Sequence, residues 1–160
     1  MLITLAVVGR LKAGPETELA HHYVKRFNGV GRNLGFGGVA VVELAESRAA
    51  TASLRQQDEA QRLLQRTPEK ALVWALDEKG RSLTSAAFAS ELGRRRDDGA
   101  GDLVLMIGGP DGHAAAAREK ADLVVSLSAM TLPHGLARVV LLEQLYRAAT
   151  ILAGHPYHRA

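Results

Sequence analysis

The chain has 160 residues, 47% of them hydrophobic and 23% charged, with a net charge of +3 and no cysteine. That length suits one domain with one core, and the missing cysteines exclude disulfide frameworks, thiolate nucleophiles and cysteine-ligated metal centres. The longest apolar stretch, LARVVLLEQLYRAATILA, is broken by Arg138, Glu143, Gln144 and Arg147, so no membrane span is expected. MLITLAVVGRLK carries its charge after its apolar run, unlike a signal peptide, and a cytoplasmic address is expected.

Apolar, β-branched runs alternate with helical patterns along the chain, which predicts an α/β fold: a single domain over 1–160 with a parallel-type sheet flanked by helices. LITLAVV (2–8) reads as the first strand, and Pro15 opens the first helix at its favoured position. The patch NGVGRNLGFGG, 28–38, reads as the one flexible loop. Within it GFGGVA fits the dinucleotide fingerprint G-x-G-x-x-G/A, yet it leads into a strand instead of opening a helix, so no phosphate site is expected there. VAVVEL (39–44) is the second strand, Thr51 or Ser53 caps the helix of TASLRQQDEAQRLLQR, and ALVWAL (71–76) is the third strand. Thr84 caps a third helix; its RRR at 94–96, followed by Asp97 and Asp98, reads as a solvated helix end. DLVLMI (102–107), an alanine-rich turn after Gly112, LVVSL (123–127) and a helix from Gly135 to about Ala153 complete the series. Charge is uneven along it: Arg10, Lys12, Lys25, Arg26 and Arg32 are opposed only by Glu16 and Glu18, a mild bias toward an anionic partner.

Several chemistries are disfavoured by what the motifs lack. There is no GxxxxGK[ST] of a P-loop and no GxSxG elbow, and the six histidines (21, 22, 113, 134, 155 and 158) form no HExxH, so no metal is expected. Two strand ends are the candidate sites, because ligands of α/β sheets bind beyond the carboxyl ends of strands. One is MIGGPDGH (106–113), whose glycines let a backbone approach a ligand, although an ordinary tight turn reads equally from these letters. The other is SLSAMTLPHG (126–135), where Pro133 halts regular structure before the last helix. On that helix Arg138 shares a face with Leu141, Leu142, Leu145, Ala149 and Leu152, at roughly 100° per residue. An arginine on an apolar stripe needs an anionic partner, either a structural carboxylate or the substrate. The helix is apolar around most of its circumference, which predicts that a second subunit packs on it. The tail GHPYHRA gathers two histidines, a tyrosine and an arginine, where chain ends are usually bland.

IGGPDG, LSAMTLPHGLARVVLLEQLYRA and HPYHR together resemble the small single-domain SPOUT methyltransferases that methylate N3 of a pseudouridine in 23S ribosomal RNA. AVVGRLK, HHYVKRF and ALDEKGR extend the likeness over the whole chain; the richness of the 28–38 patch in glycine, His113 and the extra Ala160 depart from the pattern. The resemblance implies a C-terminal trefoil knot, a homodimer, and S-adenosylmethionine (S-adenosyl-L-methionine) as cofactor. It implies cofactor contacts at Leu76, Gly108, Leu127, Ser128, Ala129, Met130, Thr131 and Leu132. It places the substrate side on His134, Arg138, Tyr157, His158 and Arg159, with the tail completing an active site at the subunit interface.

With one Trp, three Tyr and three Phe there is little stacking platform for free RNA, and no RRM-like motif. The expected partner is therefore a preassembled surface, which the resemblance implies is the assembled ribosome with its 23S rRNA. Two rivals are a non-enzymatic ribosome-binding protein with a vestigial pocket, and a SPOUT enzyme acting on transfer RNA, which usually brings an added RNA-binding segment.

Overall fold

Each of the five apolar runs becomes a strand in the computed structural model, which describes residues 1–159; the extra Ala160 lies outside the described residues. The strands are β1 (Ile3–Val8), β2 (Val39–Leu44), β3 (Leu72–Ser82), β4 (Leu103–Ile107) and β5 (Leu123–Ser126). All pair in parallel in the order β2-β1-β4-β3-β5. The helices are α1 (Pro15–Gly31), α2 (Ala52–Gln65), α3 (Ser85–Asp97), α4 (Ala115–Lys120) and α5 (His134–Leu152). Side chains alternate across a strand, and here both faces are covered. Ile3, Leu5, Val7, Trp74, Leu103 and Leu105 pack with α1, α3 and α5, while Ala6, Val8, Val73, Val104 and Met106 pack beneath α2 with Leu63.

The caps are where the sequence puts them. Thr51 accepts the Leu54 amide at 3.2 Å and Thr84 the Ala87 amide at 3.1 Å, each satisfying an orphan donor of its helix. The arginines of α3 are less bland than expected: Arg94 and Arg95 pair with Glu91, and Arg96 with Asp97, while Arg96 also lies over the Phe36 ring at 5.2 Å.

Three expectations need correction. The patch at 28–38 is not one flexible loop: α1 runs on through Gly31, a 3-10 turn follows at Arg32–Leu34, and Gly31 is buried against Phe27. Left-handed turns at Gly35 and Gly38 then steer the chain into β2. The third strand does not stop at residue 76. Its second part, Arg81 and Ser82, pairs again with Val125 and Ser126 of β5, so Leu76 and Arg81 both stand in register with Val125. Gly80 makes this approach feasible, because a Cβ there would lie 2.5 Å from the Val125 carbonyl carbon. Finally, the apolar circumference of α5 is used inside the chain, which buries Val139, Leu141, Leu142, Leu145, Tyr146, Ala148 and Ala149 between α1, α3 and the sheet. Its hydrophobicity needs no second subunit to explain it.

Candidate active site

The carboxyl ends of β3, β4 and β5 open into one cavity of about 1010 Å³. Leu76, Gly108 and all six residues from Leu127 to Leu132 line it, together with His134 at the start of α5. The two stretches singled out in the sequence therefore form opposite walls of one site. The 126–132 wall is held by its own serines: Ser126 donates its hydroxyl to the Ser128 carbonyl at 3.0 Å, and the Ser128 hydroxyl accepts the Met130 amide at 2.9 Å. Met130 is left 79% exposed at the rim. The glycine wall folds back on itself through a bridge between Gly109 and Gly112, with Gly112 at φ 81°. Free backbone groups and small residues on both sides suit a ligand read through main-chain contacts.

Helix α2 braces the glycine wall, a role the sequence did not reveal. Arg55 makes a two-pronged pair with Asp111, Nε to Oδ2 at 2.7 Å and Nη2 to Oδ1 at 3.2 Å, and Gln56 donates to the Asp111 carbonyl. The pair holds the Asp111 carboxyl below its ordinary range, mainly through the hydrogen bond from Arg55. One turn on, buried Glu59 accepts the Ser47 amide at 2.8 Å and lies where a side chain at residue 109 would be; a Cβ on Gly109 would approach its Oε2 to 2.5 Å. Asp111 was on view in IGGPDG, but only folding shows which cation on another element it meets.

His134 faces the cavity with its Nε2 3.1 Å from the Gly108 carbonyl oxygen. A carbonyl only accepts, so Nε2 carries the proton and the Nδ1 lone pair is left for a second partner. Burial lowers the His134 pKa, and the nearby Arg138 charge adds to it. The ring is neutral at physiological pH.

Arg138 is not at the cavity surface. It is 2% exposed, donates to Glu43 Oε2 at 2.9 Å and to the Gly9 carbonyl at 3.0 Å, and ties α5 to the ends of β1 and β2. Of the two partners the sequence left open, the structure supplies the carboxylate. Burial opposes ionisation of Glu43, but Arg138 and the Leu11 amide, with Arg10 nearby, outweigh it and hold that carboxyl below its ordinary value.

Tyr157, His158 and Arg159 are not brought to this cavity within the chain. They follow the far end of α5, a helix of 19 residues whose length is roughly 28 Å at about 1.5 Å per residue. The tail is nonetheless fixed there. Tyr157 packs on Tyr146 with ring centres 4.6 Å apart, donates its hydroxyl to Glu143 Oε1 at 3.1 Å, and lies beneath Arg147, 5.0 Å from the ring centre. Burial, the Tyr23 hydroxyl and Glu143 push its pKa up to about 12, so it is a neutral phenol. The Nδ1 of His158 is buried without a partner, and Arg159 is exposed.

Residues 1–158 match the family model described as "Predicted SPOUT methyltransferase". A protein of Nitrobacter winogradskyi named "Ribosomal RNA large subunit methyltransferase H" is 55% identical over 159 residues, 99% of each chain. One of Brucella anthropi with the same name is 52% identical over 160 residues, the whole of both. Among solved structures, the SpoU methyltransferase AviRb of Streptomyces viridochromogenes in complex with AdoMet superposes with a TM-score of 0.41 at 16% identity, over 95% of this chain and 58% of that one.

Proposed function

The chain belongs to the SPOUT methyltransferase family, and from that membership we propose that it moves a methyl group from S-adenosylmethionine to N3 of a pseudouridine in the 23S RNA of the assembled ribosome. The observation that carries this reading is convergence: Leu76, Gly108 and Leu127 to Leu132, drawn from three strand ends, line one cavity with His134. Its volume suits the cofactor with room for a base, since small-molecule sites run to about 1,000 Å³. In this reading the glycine wall and the 127–132 backbone hold the cofactor, and the C-terminal segment is knotted around it. When bound, the cofactor supplies a methyl already activated by its sulfonium.

What remains for the protein is alignment and one proton. N3 of a uracil-type base is a weak acid, and the neutral His134 accepts its proton at Nδ1 while Nε2 stays on the Gly108 carbonyl. Arg138, committed to Glu43 and Gly9, acts through His134 and the α5 start and does not touch the substrate. Tyr157, His158 and Arg159 serve a second copy of the chain. A tail fixed roughly 28 Å along α5 from its own cavity reaches a site only across a homodimer. The decisive experiment follows labelled methyl from S-adenosylmethionine onto ribosomes lacking the modification, with the labelled nucleotide mapped by mass. Label in a large-subunit pseudouridine is expected; label on transfer RNA, or cofactor binding without transfer to ribosomes, subunits or transfer RNA, rejects the assignment.

A further inference from the structure

The exposed face of α1 carries charge that no side chain among the described residues pairs with. At roughly 100° per residue, Ala20, Phe27 and Gly31 lie on the buried side of α1, and His21, His22, Lys25, Gly29 and Arg32 line the opposite side, all exposed. Arg26 sits at the edge of that stripe nearest α5, its guanidinium 4.5 Å from the Tyr146 ring centre and 5.2 Å from that of Tyr157. Among the described residues Lys25, Arg26 and Arg32 form no ion pair. The contrast with α3 is instructive, because there each arginine of the 94–96 run meets Glu91, Asp97 or Asp98. No acidic residue occurs between Glu18 and Glu43, so the stripe has none of its own beyond the first turn. The nearby Glu143 is taken by Arg147 and the Tyr157 hydroxyl.

We propose that this stripe, Lys25, Arg26 and Arg32 flanked by His21 and His22, is a docking surface for the RNA phosphate backbone. It rests on the ribosomal RNA reading above and says which face of the protein meets the RNA. Unpaired cations spaced along one helix side neutralise successive phosphates without reading sequence, which suits an enzyme with few aromatics for stacking. From His21 to Arg32 the stripe runs roughly 17 Å at about 1.5 Å per residue, long enough for more than one phosphate. Arg26 is pre-oriented on two rings, so holding it costs little further side-chain entropy on binding. Through Arg26 the stripe also reaches Tyr157 of the tail, which the proposed dimer presents to a partner's cavity.

The test measures association of the full-length protein with ribosomes across a salt series. Lys25→Gln/Arg26→Gln/Arg32→Gln is expected to flatten the dependence of log K on log salt by about two to three, at roughly 0.7–0.9 per phosphate contact. Ribosome affinity near physiological salt falls about tenfold or more, while S-adenosylmethionine binding is unchanged. Because Arg26 also steadies the tail, Lys25→Gln/Arg32→Gln is the companion variant, expected to lower the slope by about one and a half. An unchanged slope in both overturns the proposal, as does a change in oligomeric state at unchanged slope, which would assign the face to a second copy of the chain. If the unaltered protein itself shows no salt-dependent association with ribosomes, the ribosomal reading fails and this surface fails with it.

Discussion

Arg138 and His134, four residues apart on α5, show how one turn of helix divides labour. Arg138→Met leaves the Gly9 carbonyl unanswered and Glu43 with only the Leu11 amide. A loss of about 2–3 kcal/mol is expected in denaturant unfolding, since Glu43 keeps some water contact. The folded Glu43 carboxyl titrates below its unfolded value, so its contribution is present above the ordinary glutamate range and is lost as pH falls through the folded value. The variant should therefore lose less stability than the parent on acidification. His134 gives the opposite handle on activity. Its pKa is depressed, so the rate with saturating substrates should hold to the acid side of about 6.5 and fall only lower, where the ring takes its proton. His134→Asn should lower the rate and remove that acid limb; a limb that persists means another group takes the N3 proton. The sequence made both residues visible, one by its place on an apolar stripe and the other through the family resemblance of LSAMTLPHG. It left open whether the arginine's anion was carboxylate or substrate, because Glu43 lies 95 positions away and only the β1 and β2 ends bring it near.

At the scale of elements, the cavity is a strand-end site with one wall supported from behind. Arg55→Ala and Asp111→Asn each release the glycine loop from α2, and both should raise the dissociation constant for S-adenosylmethionine about five- to tenfold by calorimetry, with the rate at saturating cofactor little changed. The double variant should match either single one, because both remove the same tie; additive losses would show that the two residues act separately. This brace was not legible beforehand, since arginine in TASLRQQ reads as an ordinary solvated helix residue. The glycine patch at 28–38 was misread for a related reason. Gly31 looks like a breaker, yet its lack of a side chain is what lets Phe27 and Phe36 close over it, and burial outweighs its poor helix propensity. The extension of β3 was hidden in DEKGRS, which is polar because it lies at the sheet's rim, while its pairing with β5 depends on Gly80.

For the whole molecule the separation of tail and cavity matters most. Trimming after Gly154 removes the ring packing of Tyr157 on Tyr146 and its bond to Glu143, contacts worth about 1–2 kcal/mol, so the protein should remain folded. In the homodimer reading, that truncated chain and a full-length chain slowed by His134→Asn each turn over poorly alone, and mixing them should raise the rate above the sum of the two. The mixed dimer places an intact tail against an intact cavity. No recovery after verified subunit exchange would reject a shared site.

The sequence by itself determined what depends on local pattern. Short apolar, β-branched runs and helical patterns located five strands and the helices between them, threonines marked two caps, and the glycine and SLSAMTLPH stretches at strand ends pointed to the site, since strand and helix preferences and backbone capping act over a few residues. Tertiary structure alone decided what depends on partners distant in the chain. Glu43 for Arg138, Arg55 for Asp111, Val125 for both Leu76 and Arg81, and Tyr146 for Tyr157 are set by how a parallel sheet brings its strand ends and covering helices together, and no local pattern encodes which far residue arrives.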